Sequence, residues 1–180
     1  PSRSSAASDV YKRQGKIQLS AADAAFAGAV DAAQLMANSA KKAGIDIEVI
    51  REPNDGYWSN VWNNDAKGWC ACYWGGRPAE TMMFSAAYVA ESKWNDTMWK
   101  TTDSAVKFNQ LVKDARKELD ESKKRDILYE CQRLIYDDGG LLCPLFNSYV
   151  SANSKKIAHG KIAANWDSDG AKCVERWWFA

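Results

Sequence analysis

Arg77 follows two glycines and precedes a proline at the end of the run GWCACYWGGRP, Gly68–Pro78. Its planar guanidinium can hold a carboxylate through two parallel hydrogen bonds. Trp74, just upstream, can stack on a flat group or keep water away from such an ion pair. Trp69, Cys72 and Tyr73 complete a candidate ligand-binding set on the same run. The plainer alternative pairs Arg77 with nearby Glu80 and leaves Trp69 and Trp74 as core residues. Strand C-termini in open α/β sheets line ligand crevices, which favours binding.

Other chemistries find little to work with. A nucleophilic triad needs a histidine, and the single one, His159, sits in a lysine-flanked turn with no Ser or Cys motif placed to use it. There is no G-x-S-x-G elbow, no P-loop and no G-x-G-x-x-G. A hydrolase pairing Cys72 with His159 stays open as an alternative class. Cys70-Ala-Cys72 resembles half of a zinc site, but the chain has no second close cysteine pair, so no metal site is expected. Cys131 and Cys143 read as buried, inert thiols. Asp137 and Asp138 read as the solvated end of a helix before Gly139-Gly140.

Composition narrows the class further. Lys+Arg 24 against Asp+Glu 23, scattered along 180 residues, leaves no electrostatic footprint for nucleic acid. Hydrophobic content of 46% with 26% charged residues argues for a folded globular chain. Nine tryptophans favour interfaces and wet-sided pockets, where an indole N–H finds an acceptor. That richness also leaves a carbohydrate-binding module open, whose flat aromatic platform would sit on a β-sandwich. No apolar run approaches the ~20 residues that span a bilayer.

The elements that must position Arg77 follow from periodicity. Residues 1–14 lack an initiator methionine, a signal region and apolar spacing, and are expected to be a non-native or disordered leader. KIQLS is a short strand, and Ser20 is placed to cap a helix starting at Ala21 with Phe26, Val30, Ala33 and Ala37 on one face and Gly44 as its stop. IDIEVI alternates as a half-buried strand. Strand, helix, strand with short joints predicts a βαβ unit and parallel pairing.

Asn54 or Asp55 then caps a short helix whose Tyr57, Trp58, Val61 and Trp62 make an aromatic face, and Trp69–Trp74 is the next strand. Downstream, AETMMFSAAYV reads as a short helix and ESKWNDTMWKTTD as a polar loop. Two longer helices follow, one with Ala105, Phe108, Leu111, Ala115 and Leu119 in register, the other with Ile127, Cys131, Leu134 and Ile135, capped by Asp120 or Ser122. LLCPLFNSYV reads as a buried extended segment. Residues 151–180 show little periodicity and end in an aromatic cluster.

The run GWCACYWGGRP, preceded by REPNDGYWSNVW and followed by RDILYECQRLIYDDGGLLCPLFNSYV, resembles the C-terminal lobe of family 5 extracytoplasmic solute-binding proteins, the peptide and oligopeptide receptors of ABC importers. The similarity extends from about Gly15 to the end. It implies an α/β lobe of the type II periplasmic-binding-protein kind, with a mixed sheet flanked by helices, in an incomplete chain. Residues 15–150 would be the lobe and 151–180 a tail returning towards an absent first lobe. The resemblance further implies no catalysis and no cofactor. A peptide or other small solute would be delivered to ABC permease subunits in the inner membrane, from the periplasm or from a lipid-anchored extracytoplasmic site.

One departure bears on the ligand. The family carries an aspartate that holds the peptide's α-ammonium, and Cys72 occupies that position here; a neutral thiol does not replace a charge-assisted bond. The family's cysteine at the Cys70 position can bond to an upstream cysteine, which would be missing here. The 180-residue chain alone is expected to self-associate through Trp177, Trp178 and Phe179 and to bind solute negligibly.

Overall fold

The computed structural model describes residues 15–64 and 67–180, so the expectation for residues 1–14 lies outside the described residues. The chain forms two compact units, one ending at Tyr73 and the other running from Trp74 to Ala180.

The first unit is built on β1 (Ile17–Ala21), α1 (Ala29–Lys42), β2 (Ile47–Arg51), α2 (Tyr57–Asn60) and β3 (Trp69–Cys70). The strands form one parallel sheet in the order β2-β1-β3, with Ile17 opposite Ile47 and Leu19 opposite Trp69. The parallel β1-α1-β2 pairing is the βαβ unit that the alternation and spacing predict. Ala29, Ala33 and Ala37 bury one stripe of α1. Their short side chains suit close approach to the sheet, and Ala33 shares a core cluster with Leu19 and Ala21.

The helix begins at Ala29, not at Ala21. An alanine-rich run has high helix propensity throughout, so periodicity alone does not locate its start. Two side chains make the difference. Ser20 lies within β1, buried, and donates to Glu52 at 3.0 Å instead of capping a helix. Asn54 accepts from the Ala24 backbone N–H at 2.9 Å, which pins the preceding turn and takes Asn54 away from α2. Ala22 and Ala25 then pack with Tyr57 and Val61, while Phe26 is exposed. Gly28, at φ 80°, supplies the left-handed residue from which α1 starts.

The second unit contains α3 (Glu80–Ala87), α4 (Asp103–Ala115), α5 (Glu121–Asp138), β4 (Ile157–His159), α6 (Asp167–Ala171), α7 (Cys173–Arg176) and β5 (Trp177–Phe179). Its core gathers Phe84, Trp99, Phe108, Val112, Cys131, Leu134 and Ile135. Phe108 is the hub, with ring centroids 5.5 Å from Phe84 and 5.2 Å from Trp99. Thr102 caps α4 by accepting from Ala105, and Asp120 caps α5 by accepting from Ser122 and Lys123. Of the two candidate caps for α5, Asp120 is the one used.

Four expectations for this unit are corrected. The first long helix stops at Ala115, leaving Leu119 exposed, and Val112 fills the buried position beside a partly buried Leu111. The loop before it is not merely polar: Asn95 and Trp99 are buried in it. The segment 141–150 has no regular structure, and nearly all of it is exposed. The tail carries an antiparallel pair, β4 with β5, so parallel and antiparallel pairing occupy two separate small sheets instead of one mixed sheet.

Candidate functional site

The strand expected over Trp69–Trp74 lasts two residues, and a phenol explains why. Tyr57 is buried and donates its O–H to the Ala71 carbonyl at 2.6 Å, with the Ser20 carbonyl a second acceptor at 3.3 Å. Ala71 still donates its N–H to Ser20 at 2.8 Å, but its carbonyl is taken by the phenol and strand β3 goes no further. Burial, then the neighbouring Cys70 and Cys72 thiols and Glu52, push the Tyr57 phenol well above its usual range, so it remains a donor. Beneath it, Lys67 at 3.1 Å and the Ser20 hydroxyl hold the Glu52 carboxyl below its usual range against the opposing effect of desolvation.

Five residues were singled out from sequence, and the structure distributes them. Trp69 is partly buried against the cluster of Leu19, Ala21 and Ala33. Cys72 is partly exposed, and Tyr73 is exposed. Tyr73 meets the edge of Trp58 at 5.6 Å, and Trp58 in turn meets Tyr57 and Trp62, each at 5.7 Å. These three belong to the first unit.

Trp74 and Arg77 belong to the second. Trp74 is partly buried against the helical core and donates its indole N–H to Asp96 at 3.1 Å. Arg77 folds back on its own turn, its Nη1 donating to the carbonyls of Gly75 at 2.7 Å and Gly76 at 3.3 Å. The guanidinium carbon lies 5.9 Å from the Trp74 ring centroid and 5.7 Å from that of Trp166. Two indole faces within cation–π reach hold the head without neutralising it. Among the described residues no carboxylate lies within ion-pair distance of Arg77, so the pairing with Glu80 does not form. Its Nε and Nη2 donate to no described protein group.

Trp166 was not foreseen as part of this site. It lies far along the chain in an aperiodic stretch, and no local pattern marks it. A turn organises that stretch: Ser168, Asp169 and Gly170 all lie in the left-handed region, at φ 49°, 60° and 71°. Buried Asp169 anchors it by accepting from the Ala163 N–H at 2.6 Å and the Trp177 indole at 3.0 Å, with Arg176 at 3.2 Å. Those contacts, led by the Ala163 N–H, lower its pKa.

Among solved structures, the chain is similar to NikZ from Campylobacter jejuni in complex with Ni(L-His), at a TM-score of 0.52 and 14% identity, over 69% of this chain. The likeness is one of fold. NikZ is a family 5 solute-binding protein of type II binding-protein architecture, and this chain spans 25% of its length. No known family profile matches the sequence, and no curated protein matches it. At the coarse level, then, the chain is mixed α/β, with helices and small sheets.

His159 lies in β4, not in a turn, with Nδ1 at 2.9 Å from the Gly160 carbonyl and its ring 5.0 Å from Trp177. The five cysteines form no disulfide with one another. Cys131 is buried and desolvation pushes its thiol up to about 11, whereas Cys143 is exposed, contrary to expectation. Asp138 is no idle helix end: it accepts from the Trp99 indole at 2.8 Å and the Thr102 hydroxyl at 2.7 Å, and these bonds, Thr102 first, lower its pKa. A groove of about 340 Å³ beside α3 and α4 has its charges already answered, Arg116 by Ser85 and Lys113 by Glu91 at 3.4 Å. Among the described residues no three His, Cys, Asp or Glu side chains gather as a metal site, and no helix is long and apolar enough to cross a membrane.

Proposed function

We propose that this chain is part of the solute-binding receptor of an ABC importer, and that Arg77 receives a carboxylate of the solute. The observation that carries the reading is the guanidinium of Arg77, with Nε and Nη2 uncommitted to any described protein group and two indoles beside it. A planar fork in that setting suits a carboxylate, and an indole face suits a flat ring next to it. The likeness to the NikZ fold supports a receptor over a hydrolase or a carbohydrate module, the latter needing a β-sandwich. A peptide or related small solute, a permease partner in the inner membrane, and a periplasmic or lipid-anchored location complete the proposal.

Cys72 refines it. A neutral side chain at the position where the family places an aspartate removes the anchor for an α-ammonium, so the carboxylate end of the solute becomes the recognised end.

Both ideas are testable by NMR on the complete receptor that contains this chain, since the 180-residue chain alone is expected to bind solute negligibly. Titration with an aromatic dipeptide should shift the Arg77 Nε–H and the Trp74 and Trp166 indole signals, and the C-terminally amidated dipeptide should not. Arg77→Ala should weaken binding roughly ten- to a hundred-fold, the equivalent of a charged hydrogen bond. Equal binding of acid and amide, or unchanged affinity with a lowered Tm, would make Arg77 a structural residue. Cys72→Asp should add a preference for a free N-terminus over an acetylated one; indifference to acetylation in both forms removes the Cys72 argument.

A further inference from the structure

Around Trp166 the chain doubles back through left-handed backbone. Ser168, Asp169, Gly170 and Ala171 lie at φ 49°, 60°, 71° and 61°, successive residues in a region that only glycine visits freely. A side chain there brings its Cβ against the following carbonyl, so such residues usually occur singly. Ser168, Asp169 and Ala171 held there together need an anchor, and strain of this kind gathers where a function requires the geometry. Asp169 is the anchor. Its buried carboxylate accepts from the Ala163 N–H upstream of Trp166, and from the Trp177 indole and Arg176 guanidinium beyond the turn. The Gly170 N–H donates to the Trp166 carbonyl at 3.3 Å. A Cβ on Gly170 would come within 2.9 Å of Asn165 Oδ1, so the loop closes tightly around Trp166.

That loop delivers Trp166 to the Gly75–Gly76 turn. A Cβ on Gly75 would sit 3.5 Å from the Trp166 ring and 3.6 Å from Arg77 Nη1, and one on Gly76 would sit 4.0 Å from the Asn165 carbonyl. The two indoles beside Arg77 are not equivalent. Trp74 packs against the helical core and gives its N–H to Asp96, whereas Trp166 is 39% exposed. We infer that Trp166 is the specificity-determining residue of the Arg77 site, selecting solutes with a flat ring beside the carboxylate, and that Asp169 is its positioning residue. This rests on the reading of Arg77 as the group that receives the carboxylate. Aromatic rings attract one another at centroid separations of about 4.5–7 Å. The Trp166 centroid lies 5.7 Å from the Arg77 guanidinium carbon, so a ring one methylene from the carbon bearing a bound carboxylate reaches the indole. The solute class is a peptide, or a smaller acid, that ends in an aromatic residue.

Calorimetry on the complete receptor that contains this chain, with the dipeptides Ala-Phe and Ala-Leu as probes, tests this. The native receptor should prefer Ala-Phe roughly three- to tenfold, the range of an aromatic pair. Trp166→Leu should bring the two dipeptides to parity, and Trp166→Phe should keep part of the preference. Asp169→Ala should lower the preference in the same way while the Ala-Leu affinity holds, a split that loss of folded protein does not produce. Gly170→Ala presses on Asn165 but keeps the aspartate, and should act likewise as the milder test. Arg77→Ala should weaken both dipeptides equally. If it does, and Trp166→Leu leaves the preference intact, the Arg77 reading stands and this inference falls. A native receptor that binds both dipeptides alike overturns it too. If Arg77→Ala changes neither affinity, the Arg77 reading itself fails and takes this one with it. A preference lost in Trp166→Leu but unchanged in both turn variants overturns Asp169 as the positioning residue.

Discussion

Phe108 and Phe146 both sit in apolar stretches of the second unit, yet one is fully buried and the other is 92% exposed. The difference lies in geometry more than in hydrophobicity. Along α4, Ala105, Phe108, Val112 and Ala115 return to one side of the helix, leaving the opposite side to charge. That single apolar face finds α5, whose Cys131, Leu134 and Ile135 have the same spacing. Residues 141–150 have no such face. Proline bars a helix, and period-two alternation puts apolar side chains on both sides, a pattern that needs covering twice. Apolar residues bury themselves only when their order creates one face for one partner.

Breaking the comparison at its buried end has the largest effect. Phe108→Ala removes the hub between Phe84 and Trp99 and should destabilise the second unit by about 3–5 kcal/mol. Phe146→Ala, measured where the chain is monomeric, should change stability by less than about 0.5 kcal/mol. Urea unfolding followed at 222 nm reads both. Equal losses would mean that Phe146 is packed in solution.

Much of the architecture was legible because periodicity reports faces. The βαβ unit and the helix pair follow from spacings of two and of three to four, and Arg77 stands out between Gly-Gly and Pro. What escaped was decided by single polar contacts. Ser20 and Asn54 both read as caps and serve other partners, Glu52 and Ala24. Tyr57 reads as one member of an aromatic face but ends a strand with its hydroxyl. Trp166 joins Arg77 from far along the chain, through a left-handed turn that no periodicity announces.

Asn95 is the sharpest of these, a buried amide inside a stretch that reads as an open loop. It donates to the carbonyls of Tyr88, Val89 and Trp99 at 3.1, 3.2 and 3.0 Å and accepts from the Trp99 N–H at 3.0 Å. The loop is therefore closed around one side chain, which seats Trp99 beside Phe108. Asn95→Ala leaves those backbone groups buried without partners and should cost about 3 kcal/mol. Asn95→Asp should cost at least as much, since it keeps the acceptor but loses the N–H donors to three carbonyls. If the alanine variant melted with the native chain, the loop's order would come from Trp99 packing alone.

A last effect appears only in alkali, and it sharpens the contrast by probing how dry the helix pair is. Cys131 lies fully buried between the helices, and its thiol titrates near 11 instead of the ordinary value near 9, chiefly through desolvation, with the Glu130 charge adding to it. A folded-state pKa raised above the unfolded one means that the unfolded chain loses its proton first as pH rises. The thiol's contribution is therefore complete below pH 9 and is lost between 9 and about 11. A shift of that size corresponds to about 2–3 kcal/mol across the window. Tyr57, raised in the same direction by burial, adds its own loss at higher pH in native and variant chains alike. The measurement is thus a difference: unfolding free energies of the native chain and of Cys131→Ala, taken at pH steps from neutral to 11. Cys131→Ala should be the less stable protein at neutral pH, because it opens a cavity. The gap should narrow as pH rises, since only the native chain has a thiol to lose. Parallel curves would show that water reaches the thiol, and that the α4–α5 interface is open at the position where the sequence pattern says it should be tightest.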